Sequence, residues 1–169
     1  MLKLNIIYNK EFDTQRVIDT IKKVDWYIEN GYNLKNLSFP KILNIERIKD
    51  YSEEEIKNAV IGEYSDDLYK ENENFLIDNW DKISEEIELA FSKSSLSCQN
   101  EYRIHLTKYG IGGSYNLPNI VIINLNNSFK VGMLRTIIHE IIHLAIEEDI
   151  IKYKIDQKQK ERIVDLFFI

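Results

Sequence analysis

His139, Glu140 and His143 form a His-Glu-x-x-His pattern, the arrangement in this chain best suited to metal chemistry. Residues four apart in an α-helix lie on one face, so the two imidazoles can bind one zinc ion at about 2.0–2.1 Å. Glu140 lies about 100° round the helix from its neighbour, near the ion but not bound to it. A carboxylate there accepts a proton from metal-activated water. The pattern therefore predicts one Zn²⁺ per chain, with Glu140 as the catalytic base.

The surrounding sequence favours a metal site over a chance pattern. The chain has three histidines, and two of them belong to the motif. Gly132 and Thr136 precede the motif on the same helical stripe and are small enough to leave room for a metal or a substrate. The alternative is a histidine pair at a polar helix seam that binds no metal.

A catalytic zinc site needs a third protein ligand and one open position. Three acidic residues downstream of the motif are candidates: Asp149, Glu161 and Asp165. Glu161 lies in a predicted helix that a short connection would pack against the motif helix. Asp165 follows it by four residues and shares its face, whereas Asp149 comes only six residues after His143.

The motif, followed by a helix carrying Glu-x-x-x-Asp, resembles the gluzincin clan of zinc metallopeptidases, and the small size resembles the minigluzincin-type proteins. The resemblance covers roughly residues 100–169. It implies that Glu161 is the third zinc ligand and that Asp165 supports His139. It also implies a zincin-like fold with an edge strand at 120–125 along the cleft, and zinc-dependent cleavage of a peptide or protein substrate.

Two alternatives stay open. The metzincin pattern His-Glu-x-x-His-x-x-Gly-x-x-His sometimes ends in Asp, and Asp149 occupies that last position. However, Ile146 stands where the metzincin glycine permits a turn, so Glu161 is favoured as the third ligand. The second alternative is a zincin-fold binding or regulatory protein with a metal site and little or no turnover. Few residues follow the Glu161 helix, which favours this alternative, whereas Glu140 favours an enzyme.

Composition narrows the class of protein. The chain has 169 residues, 44% apolar and 30% charged, which predicts one zincin-like domain with a mainly helical part at 1–95 and the strands and site helices at 96–169. A net charge of -6 argues against nucleic acid as a partner. No signal pattern and no apolar run of about 18 residues is present, which predicts a cytoplasmic protein without a membrane partner. The single Cys98 excludes an internal disulfide and is interpreted as a small buried side chain.

Apolar periodicity and capping residues predict an α+β fold with a small mixed sheet. The predicted strands are 2–8, 102–107 and 120–125, with a glycine-rich loop at 110–113. The predicted helices are 12–28, ended by Asn30-Gly31; 53–64, with a capping box of Ser52 and Glu55; 66–91, capped by Asp66 or Asp67, with a break near Asn74; 130–147, capped by Ser128; and 157–168, capped by Asp156 with Gln159. A polar connection at 147–149 separates the last two helices.

Five other polar or aromatic residues have structural interpretations. His105 is predicted to be a solvated or hydrogen-bonded strand residue. Tyr115 and Tyr153 are either structural or hydrogen-bond donors to an oxyanion. Trp26 and Trp80 stand at helical core spacing and are predicted to pack inside.

Overall fold

The computed structural model describes residues 2–94, 96–127 and 130–168. These residues form helices and a small mixed sheet joined by turns and loops, which confirms the predicted α+β class. The helices are α1 (Lys10–Lys22), α2 (Val24–Glu29), α3 (Glu53–Glu63), α4 (Asp66–Lys93), α5 (Lys130–Tyr153) and α6 (Gln157–Asp165). The strands are β1 (Lys3–Ile7), β2 (Glu101–Thr107), β3 (Gly113–Asn116) and β4 (Ile120–Asn124). Short 3-10 turns occupy Leu34–Asn36, Ile45–Asp50, Leu125–Asn127 and Leu166–Phe168.

The sheet has the strand order β1-β2-β4-β3. β1 pairs with β2, and β2 with β4, in parallel, whereas β3 runs antiparallel to β4. The expectation of an edge strand at 120–125 is therefore wrong, because β4 is an inner strand and β3 is the edge. Sequence periodicity missed β3, which consists of Gly-Ser-Tyr-Asn, because glycine and asparagine are depleted in strands.

The main core lies between the sheet, α4 and α5. Ile137 and Ile141 on α5 and Val121 and Ile123 on β4 are fully buried there. The motif helix α5 packs on the sheet, where it contacts β3 and β4. Trp80 is 3% exposed, as predicted, and its indole N–H donates to the carbonyl of Leu2 at 2.8 Å, which ties α4 to the chain before β1.

Helix ends follow the sequence where a local cap exists. Both predicted capping boxes are present, one at Ser52 and Glu55 before α3 and one at Asp156 and Gln159 before α6. The predicted helix ending at Asn30-Gly31 is also found, and Gly31 has a φ of 84°, a conformation that glycine adopts readily. The predicted N-cap Ser128 lies outside the described residues.

Several predicted helix boundaries are wrong. The segment 12–28 forms two helices that meet at Lys23, and α4 runs without a break at Asn74. Asp66 and Asp67 lie in the first turn of α4 rather than at its cap, where their charges still favour the helix dipole. α5 continues to Tyr153, so the predicted polar connection at 147–149 is helical. Glu148 and Asp149 are exposed on this helix, whereas Glu147 is half-buried and accepts a hydrogen bond from Tyr115.

The first helices pack beside the sheet rather than into the main core. α1 and α3 share a small apolar cluster that includes Val17 and Val60. α2 and the turns after it form another cluster around Val24 and Tyr27. Trp26 does not pack inside as predicted, since it is 46% exposed. None of the helices in the described ranges is long and apolar enough to cross a lipid bilayer.

Two further predictions concern side chains outside the site. His105 is half-buried, its ring lies 4.4 Å from that of Phe12, and burial lowers its pKa, so it packs rather than being solvated. Cys98 is only half-buried, but it does pack against the main core. Burial raises the pKa of the Cys98 thiol, which fits a side chain with no nucleophilic role.

Candidate metal centre

α5 and α6 bring together the two motif histidines and the predicted third ligand. The Nε2 atoms of His139 and His143 lie 3.0 Å apart. Glu161 Oε2 lies 3.3 Å from His139 Nε2 and 3.4 Å from His143 Nε2. Side-chain donor atoms of these three residues all lie within 4.8 Å of one another. Three donors from two helices therefore converge on one point.

These separations fit a single zinc ion. Ligands bound tetrahedrally at about 2.1 Å lie about 3.4 Å from one another. The three measured separations are 3.0, 3.3 and 3.4 Å, close to the edges of such a tetrahedron. Two imidazole nitrogens and one carboxylate oxygen are also a donor set found in catalytic zinc sites, which leave the fourth position open.

Glu140 lies beneath these donors and is only 6% exposed. Desolvation by burial raises the pKa of Glu140 to about 7, and the negative charge of Glu161 adds to the rise, while His139, Lys160 and Arg16 act in the opposite direction. A carboxyl group with such a pKa accepts and returns protons near neutral pH.

Gly113 on β3 leaves the space that the Glu140 side chain occupies. A Cβ at this position would overlap Glu140 Oε1 and Thr136 Cγ2. Of the two small residues on the α5 stripe, Thr136 lies against Gly113 of β3, whereas a Cβ at Gly132 would meet open space.

Substitution of these two glycines is expected to affect different properties: turnover at Gly113 and stability at Gly132. Gly113→Ala should displace Glu140 and lower turnover by on the order of 10–100-fold with zinc content unchanged, since a shift of about 1 Å at a catalytic group can cost 10²-fold. Gly132→Ala, in the first turn of α5, should raise the free energy of unfolding by about 0.4–1 kcal/mol, because alanine reduces the conformational freedom of the unfolded chain. Activity assays and denaturant unfolding measure the two results. Normal turnover in Gly113→Ala would contradict the close packing.

Glu161 is fixed by a hydrogen bond to its other oxygen. The side-chain amide of Gln157, one turn earlier on α6, donates to Glu161 Oε1 at 2.6 Å. This bond leaves Oε2 directed at the two histidines. Hydrogen bonds from His139 and His143 hold the pKa of Glu161 well below its usual range, and the same bond to Glu161 raises the pKa of His139.

Gln157→Ala is expected to weaken zinc binding by about 10–100-fold, the usual loss when a residue that orients a metal ligand is removed. Competition with a zinc chelator measures this affinity. The control is Gln159→Ala, which removes the capping box of the same helix without touching Glu161. Equal zinc affinities of the Gln157 and Gln159 variants would show that the effect is one of helix stability.

Tyr115 on β3 covers the second motif histidine. Its ring stacks on that of His143 with centroids 5.2 Å apart and an angle of 13°. The hydroxyl donates to Glu147 Oε2 at 2.5 Å and accepts from Lys160 Nζ at 2.7 Å. His143 Nδ1 is buried and has no partner among the described residues, so the stacked ring and the contacts of Nε2 orient this histidine. Of the two interpretations of Tyr115, its contacts favour the structural one.

The other acidic candidates lie outside the group of donors. Asp165 is exposed on α6, and no hydrogen bond joins it to His139 in the described part of the chain, although its charge contributes to the raised pKa of His139. Phe168 stacks on His139 instead, with centroids 5.9 Å apart. Asp149 is exposed on α5. Tyr153 is 64% exposed near the end of the same helix.

A small apolar surface holds α6 against the main core. Val164 is fully buried, and Ile163 and Phe168 are partly buried. Phe167 is 43% exposed and adds little to this contact.

The donors open into a cleft of about 680 Å³. The motif residues and Glu161 line one side of the cleft. Ile111, Gly112 and the strand β3 line its rim. The opposite wall comes from α1, α2 and the loop after them, which sequence reasoning did not connect with the site. Its lining residues are Lys22, Lys23, Trp26, Tyr27 and Tyr32.

Comparison with known proteins adds no relative to this description. No known protein family matches the chain, and neither a curated protein nor a solved structure shows significant similarity to it.

Proposed function

We propose that this protein is a zinc-dependent hydrolase, specifically a metalloendopeptidase of gluzincin type. His139, His143 and Glu161 would hold the zinc ion, and Glu140 would act as the general base. The observation that carries the proposal is the convergence of the three donor atoms at 3.0–3.4 Å from one another. The buried carboxyl of Glu140 beside them supplies a proton acceptor that a purely structural zinc site does not need.

The residues of the chain divide the chemical work between binding and proton transfer. A bound zinc ion supplies a Lewis acid that polarises a carbonyl and lowers the pKa of water. Glu140 takes the proton from the attacking water and returns it to the leaving amine. Gln157 holds Glu161, and Tyr115 holds His143, so the donors keep their positions through the reaction.

An extended peptide is the substrate that we propose for this cleft. Gly113, Ser114 and Tyr115 of the edge strand β3 line the cleft. Among the residues that the structure describes, β3 pairs with β4 on one side only, so an extended peptide could add on the other side as a further strand. Such pairing would lay a peptide bond across the cleft beside Glu140.

Turnover on a mixed peptide library tests this proposal. Zinc-loaded protein is expected to yield new peptide termini by mass spectrometry, and chelator-treated protein is expected to yield none until zinc is restored. Stoichiometric zinc binding without any cleavage would reject the enzyme and favour the alternative, a metal-containing binding or regulatory protein.

A further inference from the structure

The wall of the cleft opposite the donors is rich in aromatic side chains. Three aromatic rings meet there. The ring centroid of Trp26 lies 5.4 Å from that of Tyr27 and 6.2 Å from that of Tyr32, and the centroids of the two tyrosine rings lie 5.5 Å apart. Tyr27 is buried and anchors the group, whereas Trp26 is 46% exposed and presents its indole ring. An exposed tryptophan supported by two tyrosines offers a rigid apolar surface to a ligand.

Two lysines stand beside these rings. Lys22 and Lys23 are exposed and line the same cleft, and neither forms an ion pair within the described ranges. The protein as a whole carries a net charge of -6, so two adjacent unpaired cations in a cleft are a local departure from its overall charge. Cations left unpaired in a cleft attract an anionic ligand group.

The acidic groups of the cleft are already engaged on the opposite side. Glu161 contacts both histidines, and Glu140 is buried beneath them. Neither carboxylate pairs with the lysines. Tyr32 and Glu161 line the same cleft. Burial raises the pKa of Tyr32, and the negative charge of Glu161 adds to the rise.

We propose that this wall, formed by Lys22, Lys23, Trp26, Tyr27 and Tyr32, selects peptides in which an acidic residue stands next to an aromatic or large apolar residue. The carboxylate pairs with the lysine ammonium groups, and the neighbouring side chain packs on the indole of Trp26. The inference rests on the proposed function for the role of the cleft, but it concerns binding and is tested without turnover.

The test uses zinc-loaded Glu140→Gln protein, which cannot consume its ligand, and three end-blocked fluorescent peptides that differ only in an Asp-Phe, Asn-Phe or Lys-Phe pair. Anisotropy titration gives each Kd, and quenching of Trp26, the exposed one of the two tryptophans, locates the binding. Asp-Phe is expected to bind about tenfold more tightly than Lys-Phe. Salt at about 0.5 M should reduce this preference, because it screens exposed charges.

Two double variants lose the same charge. Lys22→Gln/Lys23→Gln loses it inside the cleft, and the control Lys93→Gln/Lys158→Gln loses it outside. The first should lose the preference for Asp-Phe, and the second should keep it. Equal binding of all peptides, no binding of any, or an unchanged preference in the first variant would overturn the inference. Cleavage of peptides by the wild type without charge preference rejects this inference alone, whereas preferential binding without any cleavage rejects the proposed enzyme alone.

Discussion

Glu140→Gln is expected to lower peptide turnover by about 10²–10⁴-fold, the usual contribution of a general acid–base group, while zinc stays bound. The amide has nearly the same size as the carboxylate, so it fits the space that Gly113 leaves. It cannot accept the proton of the attacking water, however. Since Glu140 is not one of the converging donors, its replacement should leave the zinc ligands in place.

Turnover and zinc content are measured on the same preparation, so loss of the base is distinguished from loss of the metal. Glu148→Gln is the control, because it removes an exposed carboxylate from the same helix. Undiminished turnover in Glu140→Gln, or zinc loss in proportion to activity loss, would remove Glu140 from the role of general base.

Glu161→Ala is expected to weaken zinc binding more than any other substitution of an acidic residue in the chain. Glu161 Oε2 lies 3.3 and 3.4 Å from the two histidine nitrogens, so its removal takes away one of three donors. Asp149→Ala should have little effect, since Asp149 is exposed outside the group. Chelator competition gives the affinities, and release of zinc by Asp149→Ala with retention by Glu161→Ala would favour the metzincin-like alternative.

Asp165→Ala distinguishes two roles for the second acidic residue of α6. Support of His139, which the gluzincin resemblance implies, predicts a loss of about 10–100-fold in zinc affinity. Its exposure and its lack of a hydrogen bond to His139 within the described residues favour a smaller loss. The same competition assay decides between them.

Local sequence signals predicted the parts of the site that lie within single helices. The spacing of His139 and His143 fixes their relative position as soon as the segment is helical. The capping box of Asp156 and Gln159 fixes where α6 begins, and hence which face of that helix carries Glu161. These features depend on neighbours three or four residues away, which a single sequence records.

The remaining features depend on contacts between distant segments. β3 is an edge strand because it pairs with β4 across a short turn, and its composition gives little strand signal. Tyr115 covers His143 only because β3 lies against α5. Trp26 has the spacing of a core residue but faces a cleft, because α1 and α2 meet at Lys23 and redirect the chain. Hydrophobic periodicity cannot distinguish a side chain that lines a cleft from one that is buried.

Metal content tests the central claim, that the two motif histidines and Glu161 hold a zinc ion. Wild-type protein and His139→Ala/His143→Ala are purified in parallel, loaded with zinc, dialysed and analysed by mass spectrometry of the metal, with circular dichroism to establish that both are folded. We expect about one zinc per wild-type chain and none in the double variant. Stoichiometric zinc in the double variant, or none in the wild type, would contradict it.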